Sequence, residues 1–188
     1  MCRSAQEHRI RGYPMCNSTK QKIASTMHEM MTRKSFEKIT VKNLMDVTNM
    51  NRQSFYYHFR DTRDVLSYLC QERVFQPLAA AELEFSEWII YGLELLNLDR
   101  QFYFRVVSVS QTDFVQEFIA TAIFPRVKQI FYPDVAHLGE NQTFAVDFIS
   151  NAIVDYYLRF LATHEPLDHA DCRKKLRFLL AEVIHGNR

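Results

Sequence analysis

An all-helical fold is predicted from three observations. Gly is scarce at 4 residues and Pro at 5 in a chain of 188, too little turn chemistry for a sandwich or barrel. Apolar residues recur at three- and four-residue spacing along most of the chain, one face of a helix each time. Hydrophobic residues make up 47% of the total, enough to fill a sizeable core. No stretch approaches about 18 consecutive apolar residues, so no membrane span is expected. Residues 1–20 also lack the apolar run of a signal peptide. The four Cys (Cys2, Cys16, Cys70, Cys172) are scattered, which fits reduced thiols in a cytoplasm better than a disulfide framework.

The elements follow in order. Residues 1–17 have no apolar periodicity and are expected to form a flexible basic arm. From Ser18 or Thr19, either of which can cap a helix, Ile23, Met27, Met30 and Met31 mark a first helical face. "RKSFEKIT" interrupts it, with Phe36 and Ile39 pinning a loop to the core. Thr40 caps a short second helix that faces inward through Val41, Leu44 and Met45. Asn49 tolerates the left-handed backbone of a tight turn. Asn51 caps a third helix running through Phe59, and Asp61 or Thr62 caps a fourth with Val65, Leu66, Leu69 and Cys70 inside. Pro77 is expected to end or kink that helix near Gln76. Five more helices are expected near 82–97, 99–109, 112–131 (with Pro125 inside it), 141–163 and 168–185.

Charge divides the chain. Residues 1–80 carry 13 Lys/Arg against 7 Asp/Glu, and residues 81–188 carry 10 against 15. A basic front and an acidic remainder suggest that the front meets a polyanion. The second and third helices, joined by a short turn, form a helix-turn-helix, whose second helix can lie in the DNA major groove. In "NMNRQSFYYHF" (49–59), Phe55 and Phe59 at i and i+4 anchor the helix, leaving its polar side chains outside. Arg52 can take guanine O6 and N7, and Gln53 adenine N6 and N7. Ser, Thr, Tyr and His side chains here, Ser54 among them, can reach phosphates.

The segment "FEKITVKNLMDVTNMNRQSFYYHFRDTRDVL" (36–66) resembles the DNA-binding signature of TetR-family transcriptional regulators, and the likeness extends over residues 18–76. The aromatic "FYF" pattern and "IFPRVKQIF" are similar to the branch containing activators of dihydroxyacetone-kinase operons. The resemblance implies a three-helix DNA-binding domain (18–64) followed by a helical dimerisation and effector domain (65–188). It implies phosphate contacts from Thr40 and Lys42. It also implies base contacts from Asn51, Arg52, Gln53 and Tyr57, with Tyr56 and His58 near phosphates. Two positions depart from the family pattern: Asn49 replaces the usual turn Gly, and Thr62 replaces a basic residue, so the phosphate contact there is either a weaker one from Thr62 or one made by Arg60 or Arg63.

In the second part, the 141–163 helix is apolar on two stripes, Phe144, Phe148 and Tyr156 on one and Ile149, Ile153 and Phe160 on the other. One stripe can face a second copy, giving a homodimer on a palindromic site, or both can be buried within one chain. Trp88, Tyr91, Phe102, Phe114 and Phe118 either line a pocket for a small-molecule effector or simply fill the core. His169 and Cys172 at i, i+3 could share a metal, although a capped helix start with polar residues in water is the preferred explanation, and no cofactor is expected. The sequence has no Gly-rich phosphate loop, "GxSxG" or "HExxH", so no enzyme is read. A helical protein-interaction adaptor is the remaining alternative; the presence of Arg52, Gln53 and Tyr57 argues against it.

Overall fold

The computed structural model describes residues 19–163 and 165–184, apart from the side chains of 110–114 and 182–184. The expected arm at 1–17 and a cap at Ser18 fall outside these residues. Among the described residues the chain is helical and has no strand.

The first four helices are α1 (Thr19–Arg33), α2 (Val41–Thr48), α3 (Arg52–His58) and α4 (Thr62–Cys70). They pack around Met27, Met31, Leu44, Phe55, Phe59 and Leu66. Between α1 and α2 a single 3₁₀ turn, Phe36–Lys38, buries Phe36 and leads to the buried Ile39. Local chemistry sets the turn before α3 and the start of α4 as expected. Asn49 adopts φ 55°, ψ 43°, the left-handed corner that Asn tolerates better than most residues. The cap of α4 is Asp61, whose carboxylate accepts the Asp64 N–H at 2.9 Å.

Pro77 does not end the fourth helix. A π turn, Gln71–Phe75, follows α4, and α5 (Gln76–Ala80) carries the proline in its first turn. The Gln76 N–H reaches five residues back, to the Gln71 carbonyl. This widened turn accommodates a residue that has no N–H and whose ring clashes with the carbonyl four residues earlier.

The same device recurs further on. After α6 (Phe85–Asn97), the two helices expected at 99–109 and 112–131 are one continuous run: α7 (Arg100–Phe118), a π turn (Ile119–Ile123) and α8 (Phe124–Phe131). The polar stretch at 110–113 has neither Gly nor Pro, so nothing in it breaks the backbone ladder. Pro125 lies just past the second π turn, where the Phe124 N–H bonds to the Ile119 carbonyl. The chain closes with α9 (Glu140–Ala162) and α10 (His169–Phe178), which runs into a final π segment, Leu179–Ile184.

Helices α6, α7 and α9 pack around Trp88, Tyr103, Phe118 and Tyr157, all buried. Helix α6 meets α9 tightly at Gly92, where an added Cβ would stand 2.3 Å from the Tyr157 hydroxyl. That hydroxyl donates to the Ile89 carbonyl at 3.1 Å. At the start of α7, Arg100 donates to the Phe160 and Glu165 carbonyls, and its guanidinium lies 4.0 Å from the Phe160 ring, which ties down the end of α9. Along α10, Arg173 makes a two-pronged bond to Glu87 at 2.7 and 2.9 Å. This bond holds the Glu87 carboxyl below its ordinary range.

Helix α9 turns Val146, Ser150, Ile153, Val154, Tyr157 and Leu161 to the core. The two expected stripes therefore divide differently. Ile153 is buried within the chain, and Ile149, Tyr156 and Phe160 are half-buried. Phe144 and Phe148 are 70% and 67% exposed.

Candidate nucleic-acid interface

The candidate interface is built from two short helices held at fixed ends. Thr40 and Asn43 form a reciprocal cap at the start of α2. The Asn43 N–H donates to the Thr40 hydroxyl oxygen at 3.2 Å, and the Thr40 hydroxyl and N–H donate to the Asn43 side-chain oxygen at 2.9 and 3.3 Å. Thr40 is thus engaged locally, while Lys42 next to it is exposed. At the start of α3 the Asn51 side-chain oxygen accepts the Ser54 N–H at 2.8 Å, which fixes the side chain and leaves its amide NH₂ to donate to a partner.

Helix α3 is divided by burial. Phe55 and Phe59 are 0% and 3% exposed, their ring centroids 5.8 Å apart. On the other side Arg52 and Gln53 are exposed in the first turn, followed by Tyr56 at 59% and Tyr57 at 84%. Ser54, His58 and Thr62 are intermediate. The Tyr57 ring meets His58 edge-on at 4.9 Å, which limits the rotamers of both.

The corner after α3 is braced from α1. The Lys20 ammonium lies 4.2 Å from the Tyr68 ring and 5.5 Å from the Phe59 ring, a pair of cation–π contacts. The Arg60 N–H and guanidinium both turn to the Asp64 carboxylate, at 2.9 and 3.7 Å. Arg60 is one of the two residues expected to substitute for a cation at Thr62, and its side chain is still 89% exposed. Lys42 and Arg52 make no ion pair among the described residues. Val47, which the motif does not point to, is 64% exposed near the end of α2. The inward pattern of Leu44, Met45 and Thr48 leaves position 47 outside.

Among the described residues, the contacts that join the head (α1–α4) to the rest of the chain include three that do not show in local sequence. The His28 ring reaches the Asp99 carboxylate and packs on Phe102 at 4.7 Å. Arg105 of α7 donates to the Met31 carbonyl. The Glu117 carboxylate accepts from the Ser67 hydroxyl at 2.7 Å and the Gln71 amide at 2.8 Å.

Of the aromatic residues considered for an effector site, Trp88, Phe102 and Phe118 are buried. Trp88 is 0% exposed and donates its indole N–H to the Leu78 carbonyl at 2.9 Å. Phe118 stacks on Phe75 at 4.7 Å and faces Tyr157 at 6.0 Å. Phe102 is buried beside His28, Tyr91 is half-buried, and the Phe114 side chain is outside the described residues. His169 and Cys172 diverge: His169 bonds Glu94 at 2.8 Å, and the Cys172 sulfur faces the Tyr156 hydroxyl at 3.3 Å. No three His, Cys, Asp or Glu side chains among the described residues are placed to share a metal ion. No described helix is long and apolar enough to cross a membrane.

No family model matches the chain, and no curated protein matches its sequence. Solved structures match in fold. The chain is similar to the dihydroxyacetone kinase operon activator DhaS, with 15% identity and a TM-score of 0.59 over 88% of this chain and 96% of that one. It is also similar to a TetR transcriptional regulator from Streptococcus agalactiae, with 19% identity and a TM-score of 0.63 over 87% and 92%. At such identities the likeness is one of fold.

Proposed function

We propose that this chain, which has the all-helical fold of TetR-type regulators, is a cytoplasmic transcriptional regulator that binds a palindromic DNA site as a homodimer. The observation that carries this reading is the division of α3. Two buried Phe rings fix the helix, while Arg52, Gln53, Tyr56 and Tyr57 stand free on its outer side. A seven-residue helix with that outer face suits the major groove, with Arg52 and Gln53 at the end that reaches base edges. Lys42 at the start of α2 suits a phosphate, and the cap at Thr40 sets the backbone that presents it. The exposed Phe144 and Phe148 of α9, with Phe178 of α10 at 66%, support a second copy packing there. A small-molecule effector among the rings around Trp88 requires those rings to part, because Trp88 and Phe118 are already in contact with core neighbours.

Selection of bound sequences from a random DNA pool, followed by gel shifts across a salt series, tests the reading. Arg52→Ala costs about 1–3 kcal/mol on the selected site and relaxes one base pair per half-site. Lys42→Ala weakens all sequences alike and reduces the salt slope by about one per lost phosphate contact. If Arg52, Gln53 and Tyr57 can all become Ala without any change in DNA affinity, the outer face of α3 is only a solvated surface. Light scattering tests the dimer separately: Phe148→Asp should convert a two-chain mass to a one-chain mass.

A further inference from the structure

A groove of about 450 Å³ opens where the head meets α7. One wall is the end of α1 and the following loop, with Arg33, Lys34 and Ser35. The other is α7, with Arg105 and Ser108. Phe36 and Val109 supply apolar lining. Glu37 is the one acid in the lining, against three cations, which leaves an excess of two positive charges. Arg33 and Lys34 are exposed and make no ion pair among the described residues, while Arg105 has donors left beyond the one on the Met31 carbonyl. The volume is that of a small-molecule site, and guanidinium groups on facing walls suit carboxylate or phosphate oxygens.

We propose that this groove binds a small organic anion, its carboxylate or phosphate groups held between Arg105 and the Arg33–Lys34 pair and its remainder resting on Phe36 and Val109. Such a molecule bridges the head and the rest of the chain. It also stands just before Thr40, the cap that starts α2. Occupancy therefore favours one placement of the head over others, in proportion to its differential affinity for them. Binding in the groove is independent of the DNA reading; its effect on DNA affinity rests on that reading.

Isothermal titration calorimetry of the full chain with pyrophosphate, citrate and octanoate tests the site and separates phosphate, polycarboxylate and amphipathic carboxylate chemistry. At least one probe binds with one site per chain. Arg33→Gln/Lys34→Gln weakens it by about tenfold or more, since it removes charge-assisted hydrogen bonds. Ser108→Phe, which plugs the groove from an exposed position whose hydroxyl bonds only its own helix at Phe104, abolishes binding. Lys42→Gln/Arg52→Gln removes the same charge elsewhere on the head and leaves binding intact. The site is overturned if no probe binds, or if binding survives both groove variants. Operator affinity measured with the bound probe at saturation tests the coupling, and an unchanged affinity overturns coupling alone. A chain that binds probe but no DNA overturns the DNA reading and leaves the groove standing.

Discussion

Gly92→Ala is a single-carbon change that should loosen the whole second part of the chain. The new Cβ would lie 2.3 Å from the Tyr157 hydroxyl oxygen and 2.7 Å from Cζ, where ordinary contact begins near 3.4 Å. Either the ring or one of the two helices must therefore move by about 1 Å. Tyr157 is 1% exposed, donates to the Ile89 carbonyl and lies against Phe118, so it has little room to move. Overpacking of this kind costs about 1–3 kcal/mol. Loss of the hydrogen bond adds about 1 kcal/mol. Replacing a mid-helix Gly by Ala returns about 1 kcal/mol through helix propensity. The net expectation is a destabilisation of about 2 kcal/mol, which in a chain of this size lowers the melting temperature by roughly 4–8 °C. Paired with Tyr157→Phe, the substitution regains part of the loss, because the shortest contact disappears while the one to Cζ remains. Urea and thermal denaturation of the two single variants and the double variant measure the coupling directly. A Gly92→Ala protein as stable as the wild type, or more stable, would refute the close approach of α6 and α9.

Other outcomes can be checked on the same protein. At the left-handed corner, Asn49→Gly should leave urea midpoints nearly unchanged while Asn49→Ala costs about 1 kcal/mol, because a side chain without a local hydrogen bond is strained there. Burial raises the pKa of the Tyr157 hydroxyl, and burial together with the Cys172 contact raises that of Tyr156. Unfolded tyrosines ionise near about pH 10, so stability is fully present below that pH and is lost as pH rises above it. Midpoints measured at increasing pH should show this loss, and Tyr157→Phe should reduce it. Burial, with the nearby Glu117 carboxylate second, holds the Cys70 thiol protonated. Mass-spectrometric mapping of alkylation should find Cys70 unlabelled in the native protein and labelled once urea unfolds it.

The head is legible in the sequence because its signals are local. Thr40, Asn51 and Asp61 cap helices within three residues of themselves. Asn49 announces its own backbone, and the four-residue spacing of Phe55 and Phe59 sets which side of α3 is buried. The second part is less legible because its decisive contacts are between distant residues. Hydropathy cannot show that Glu117 will take Ser67 and Gln71, or that His28 will meet Asp99. The polar run at 110–113 imitates a break that the backbone does not make. On α9, large apolar residues mark two stripes, of which only Ile153 is buried, whereas the core also takes Val146, Ser150 and Tyr157 from outside both stripes. Ser150 is accommodated there because its hydroxyl donates to the Val146 carbonyl at 2.6 Å. Pro77 misdirects because a proline reads as a stop only if the turn before it has ordinary width, whereas Pro125 stays inside its helix as expected, just past a turn of the same kind.

Those two wide turns leave each helix with one residue more than an ordinary coil of the same length would hold. Were all the residues of 119–123 wound as an ordinary coil instead, the extra one would add a full residue step to the helix. Everything downstream would then swing by about 100° about the helix axis. Val127, now at 0% exposure, would be carried toward the surface, and its half-buried neighbour Arg126 toward the interior. The apparent surplus residue is therefore a phase setting: it lets one unbroken rod present its apolar side to one set of neighbours before the proline and to another set after it.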